Sequence, residues 1–133
     1  MSILSEQNRK ALLLTLHQDI KDHAQRTAKA ALNGREEGLC YPPNVALRPD
    51  EVAALKRLRE IPAIQPALEK FIADAAASVI FHLFTYIDGT GDPAISASQW
   101  TGVSLVDHDP AHEGKEFLHD AFFESYWEWH DAR

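Results

Sequence analysis

Residues 66–88 constrain the fold more than any other segment. Early on, one side is polar, with Glu69, Lys70 and Asp74; after Ala75 the segment is apolar nearly all round, with Val79, Ile80, Phe81, Leu83, Phe84, Tyr86 and Ile87. Length and spacing predict a helix. A helix without a wet face is normally covered by neighbours on several sides, so the rest of the chain is expected to wrap it. Pro66 suits a first helical position, where its missing N–H has no helical partner in any case, and Gly89 supplies the stop.

The covering elements can be read on either side. Leu12, Leu13, Leu16, Ile20, Ala24, Thr27 and Ala31 recur at helical spacing, with Lys21, Asp22, Gln25, Arg26 and Lys29 opposite. Ser5 can cap the start, and Asn33-Gly34 ends it, so a long amphipathic helix is expected over 5–32. Periodicity is lost over 34–48, where Pro42-Pro43 forbids a helix. Pro49-Asp50-Glu51 then opens a short helix reaching about residue 60, its carboxylates facing the positive end of the helix dipole. Residues 100–106 alternate, the one strand-like pattern, and residues 94–98 are the expected hairpin partner. A last helix is expected over 115–130. The predicted fold is therefore mainly α: a helical bundle around a central apolar helix, with a small β-hairpin between the third and last long helices, in a single domain of 133 residues.

Charge and cysteine content narrow the function classes. The net charge of −7, from 20 acidic and 13 basic residues, opposes attraction to phosphate backbones, so no nucleic acid partner is expected. The first ten residues place charge where a secretory signal needs an apolar stretch. The apolar run over 75–87 is short of the ~20 residues that cross a bilayer, so no membrane is expected. The lone Cys40 lies far in sequence from any histidine and reads as a small apolar connector residue in a reducing compartment. A cytoplasmic protein is expected.

Several motifs have residue types that could carry chemistry. Asp88-x-Thr90-x-Asp92 has the opening spacing of a calcium loop, but Pro93 and Gln99 replace the glycine and glutamate that such a loop needs. A helix C-cap and an Asx turn account for these residues. Gly89-x-Gly91 lacks the rest of a phosphate-binding fingerprint. His82, inside the apolar run, reads as a buried, hydrogen-bonded core histidine, or as a general base on a pocket with Tyr86 nearby. His108, His112 and His119 group around a polar loop and offer a metal-binding alternative, without the spacing of a known motif. His23 and Asp19, four residues apart, suit a local helix pair. No catalytic residue, metal or cofactor is assigned.

The last helix is the most informative segment. Phe117, Leu118, Ala121, Phe122, Ser125, Tyr126 and Trp129 share one face at 100° per residue, which must be the core side. Phe123 and Trp127 point the other way, among Glu116, Asp120, Glu124 and Asp131. Large aromatics in an acidic frame need either a covering element of the same chain or a partner, and aromatic anchors with an acidic rim suit a basic protein.

Ile87-Asp88-Gly89, Asp92-Pro93, Trp100-x-Gly102 and Leu118-His119-Asp120-x-Phe122-x-Glu124-Ser125-Tyr126-Trp127 together resemble small uncharacterised bacterial proteins over the last half of the chain. That resemblance implies no activity and transfers no site residues. In size and charge the chain is also similar to immunity proteins that neutralise a toxin. The expected function is a non-enzymatic protein-binding protein of immunity or inhibitor type, using Phe123, Trp127, Glu116, Asp120 and Glu124. The alternatives are a small enzyme or metal protein built on His82 or on His108, His112 and His119, and a structural subunit forming a homo-oligomer.

Overall fold

The computed structural model describes residues 2–36, 38–95, 97–108 and 117–133. Its elements run β1 (Ser2–Ile3), α1 (Glu6–Leu32), α2 (Pro49–Leu58), α3 (Ile64–Asp88), a 3-10 turn (Ala97–Gln99), β2 (Leu105–Val106) and α4 (Leu118–Asp131). The protein is mainly helical, as its periodicity predicts. Two compact units are present: residues 1–19 with 77–133, and residues 20–76, so α1 and α3 each contribute to both.

Local sequence chemistry sets the helix ends. The Ser5 hydroxyl accepts a hydrogen bond from the Asn8 N–H at 3.2 Å and so caps α1. At the other end Gly34 adopts φ +64°, and the N–H groups of Gly34 and Arg35 return to the carbonyls of Ala31 (3.1 Å) and Ala30 (2.9 Å). This paired closure satisfies two terminal carbonyls and requires a left-handed residue, which glycine adopts without steric cost. Glu51 accepts the Arg48 N–H at 2.9 Å in front of α2, with Pro49 in its first turn. The third helix begins two residues before Pro66, because Ala63 at φ +65° turns the chain into it.

In the first unit, Leu4, Leu13, Phe84, Leu118, Ala121, Phe122 and Trp129 are buried. Strand β1 pairs in parallel with β2, Ser2 opposite Leu105 and Ile3 opposite Val106. Among the described residues the expected hairpin is not formed: residues 97–99 make a 3-10 turn, and the alternating segment takes its partner from the far end of the sequence. The Asp107 carboxylate extends this junction, accepting the Ser5 N–H at 3.1 and 3.2 Å. In the second unit, Ala24, Ala28 and Leu32 form the buried stripe of α1.

The third helix is less covered than its all-round apolarity leads one to expect. Within α3 only Phe84 and Asp88 are buried, while Phe71 (77%), Val79 (69%) and Leu83 (52%) are exposed. All-round apolarity states a need for cover, and four helices do not meet it on every side. The expectation that no segment reaches spanning length fails. By length and composition alone, α3 is long and apolar enough to cross a membrane, because its apolar character begins before Ala75.

Candidate functional site

Helix α4 carries the expected site, and its inner face anchors it. Leu118, Ala121, Phe122, Ser125 and Trp129 are buried, whereas Phe117 and Tyr126, also expected inside, sit at the margin with 37% exposure. The Phe122 ring stacks on His17 at 4.8 Å and meets Phe84 edge-on at 5.7 Å. The Trp129 indole N–H donates to Gln18 Oε1 at 3.1 Å, and the Arg133 guanidinium lies 4.8 Å over its ring. These contacts fix the rotation of the helix about its own axis.

With that rotation fixed, Phe123 and Trp127 face outward. Phe123 is 51% exposed and touches Phe81 at 5.3 Å; Trp127 is 63% exposed and contacts its own helix neighbours Tyr126 (5.1 Å) and His130 (5.8 Å). Asp120, Glu124, Glu128 and Asp131 are exposed on the same side. Glu128 is engaged by Lys10 at 3.4 Å, and the neighbouring carboxylates hold the Lys10 ammonium above its ordinary pKa. Glu116 lies outside the described residues.

The first turn of α4 is held by Asp88, a residue that sequence reasoning placed in a turn. Its side chain is fully buried, and Oδ2 accepts both the backbone N–H of His119 (2.9 Å) and the Nδ1–H of its imidazole (2.6 Å). A carboxylate here satisfies an N–H that has no helical partner and faces the positive end of the helix. Asp88 Oδ1 is buried without a hydrogen bond from the described residues. His119 Nε2 lies 3.4 Å from Asp120 Oδ1, so carboxylates engage both ring nitrogens.

The histidine alternatives fare differently. His82 is exposed on α3, not a core residue, because the face it occupies is one that no helix covers. His108 is exposed, His112 lies outside the described residues, and His119 is committed to Asp88. Among the described residues no group of three His, Cys, Asp or Glu side chains could hold a metal ion. His23 has Thr27 Oγ1 at 3.4 Å as its neighbour, and not the expected Asp19.

Among the described residues His17 is the buried histidine, and the sequence did not single it out. Its Nε2 lies 2.6 Å from the Phe122 carbonyl oxygen and 2.9 Å from Ser125 Oγ. A serine and a histidine at that distance suggest a nucleophile and its base, but the hydrogen runs the wrong way. A carbonyl oxygen only accepts, so Nε2 carries the proton, and the Ser125 hydroxyl donates to the same carbonyl at 2.8 Å. Nε2 has no lone pair for the serine proton. Burial lowers the His17 pKa from its ordinary value, opposed by the Phe122 carbonyl. The group is a neutral structural link between α1 and α4.

Comparison with protein-family models, with curated proteins and with solved structures finds no match for this chain.

Proposed function

We propose that this protein is a non-enzymatic binding protein of immunity or inhibitor type, capturing a basic protein in the cytoplasm through the acidic aromatic face of α4. One observation carries the reading. Phe123 and Trp127 remain half or more exposed beside Asp120 and Glu124, while their helix neighbours Phe122 and Trp129 are buried. Large rings at the centre of such a patch are the side chains from which interfaces draw most of their energy. The exposed Trp127 ring also offers its face to a lysine or arginine, a contact of about 0.5–2 kcal/mol depending on its desolvation. The surplus of negative charge raises the encounter rate with a cationic partner and makes it salt-dependent.

The test compares three proteins as bait in the native host: wild type, Phe123→Ala with Trp127→Ala, and Asp120→Asn with Glu124→Gln. The expected result is one basic protein retained by wild type and lost with the aromatic double variant. The carboxylate variant should bind it more slowly and with weaker salt dependence. Retention of every wild-type partner by the aromatic variant, with its fold intact by circular dichroism, would refute the reading.

A further inference from the structure

The second unit holds a cavity of about 390 Å3, lined by residues of α1, of the connector that follows and of α2. Its size falls within the range of small-molecule pockets, and its walls combine an apolar body with few polar groups, as such pockets do. Leu39, Leu47 and Leu55 supply hydrocarbon; Arg26, Arg35 and His23 supply the polar ring nitrogens and guanidinium groups. Among the described residues no aspartate or glutamate lines the cavity, in a chain where acids outnumber Lys and Arg by 20 to 13.

Among the described residues neither guanidinium meets a carboxylate, and the side-chain contact of Arg26 is a long one, Nε–H donating to the Asp22 backbone carbonyl at 3.4 Å. Both arginines are exposed, while Leu47 and Leu55 are half-buried. The cavity thus presents hydrocarbon within and positive charge at its margin. A guanidinium fork takes a carboxylate, as it takes a phosphate, through two parallel N–H···O bonds, and a carboxylate is the smaller head group for a cavity of this size.

We propose that this cavity binds a small amphiphilic carboxylate, its hydrocarbon tail against the three leucines and its head group taken by Arg26 and Arg35. The site lies on residues 23–55, so it stands or falls separately from the α4 surface. Leu39, half-exposed on the connector, forms the outer part of the wall.

The experiment is calorimetric titration of the full chain with decanoate, with decanol and decyltrimethylammonium as probes of equal tail length. Decanoate is expected to bind at one saturable site with Kd below about 1 mM, and both other probes at least about tenfold more weakly, as the loss of a charge-assisted hydrogen bond implies. Arg26→Gln with Arg35→Gln should weaken decanoate about tenfold or more and leave decanol unchanged. Ala30→Phe, which places a ring in the cavity, should abolish binding of all three. The proposal is overturned if decanoate and decanol bind alike, if the double arginine variant keeps wild-type affinity, or if decanoate shows no saturable binding. Binding of decanoate to the exposed apolar face of α3 would give the second of these outcomes.

Discussion

Replacing Phe122 by alanine, beside the same replacement at Phe123, tests the rotation of α4 on which the functional reading stands. Phe122 is fully buried, stacked on His17 and edge-on to Phe84. Its truncation removes the transfer free energy of a whole ring and leaves a cavity that the surroundings only partly close, together about 3–5 kcal/mol. Phe123, one position along, is half-exposed with one ring contact outside its own helix, to Phe81. Half of a fully buried phenylalanine is worth about 1 kcal/mol, and the ring pair adds roughly 0.5 kcal/mol or a little more. Trp127, more exposed still, should cost about 1 kcal/mol or less. The assay is urea unfolding followed by far-ultraviolet circular dichroism, with the m value checked for constancy across variants. In a thermal scan the difference is on the order of 10 °C between neighbouring positions. Equal losses at Phe122 and Phe123, or a loss above about 3 kcal/mol at Trp127, would place the outward rings in a core and remove the basis of the proposed interface.

Asp88→Asn should destabilise by about 2–4 kcal/mol, since it removes the charge that holds two His119 donors and turns an amide NH2 into a buried position without an acceptor; amide exchange at His119 would report the loosened first turn of α4. The lowered pKa of His17 means that, between its folded and unfolded values, the unfolded chain binds the proton more readily. Its contribution is therefore complete above about pH 6.5 and is lost as pH falls below that value. Urea unfolding of wild type and His17→Gln from pH 8 to 5 should run parallel above about pH 6.5 and converge or cross below it, and curves parallel throughout would contradict the assignment. Gly34→Ala should cost about 1–2 kcal/mol by equilibrium unfolding, because φ is +64° and a Cβ would meet Lys56 Cε at 2.6 Å and Val52 Cγ1 at 3.1 Å.

What the sequence revealed was whatever a few neighbouring residues decide. Ser5 and Asn33-Gly34 mark the ends of α1 because a hydroxyl cap and a left-handed glycine act within one helical turn. The inner face of α4 was legible because 100° per residue separates Phe122 from Phe123 without knowledge of what each will touch. Partnerships across the chain were not legible. The alternation at residues 100–106 announced a strand but not that Ser2 and Ile3 would pair with it, and hydrogen-bonding edges carry no address. Asp88 looked like a turn residue because its role as the anchor of α4 depends on His119, 31 positions away. His82 is exposed despite its apolar flanks, because an apolar neighbourhood in sequence is not an apolar neighbourhood in space. For the candidate site, Phe123, Trp127, Asp120 and Glu124 could be named in advance. The two arginines of the cavity could not, since a wall drawn from α1, a connector and α2 has no local pattern.

The discontinuous make-up of the first unit imposes an order of events on a ribosome. Residues 20–76 form a contiguous block that can collapse as soon as it emerges, whereas the opening nineteen residues must wait for 77–133 before their structure can close. The last events include contacts spanning more than a hundred residues, among them the seating of Ser5 on Asp107 and of His17 under Phe122. Until then the leucines of early α1 travel uncovered, and the time that exposure lasts is set by how fast translation delivers α4.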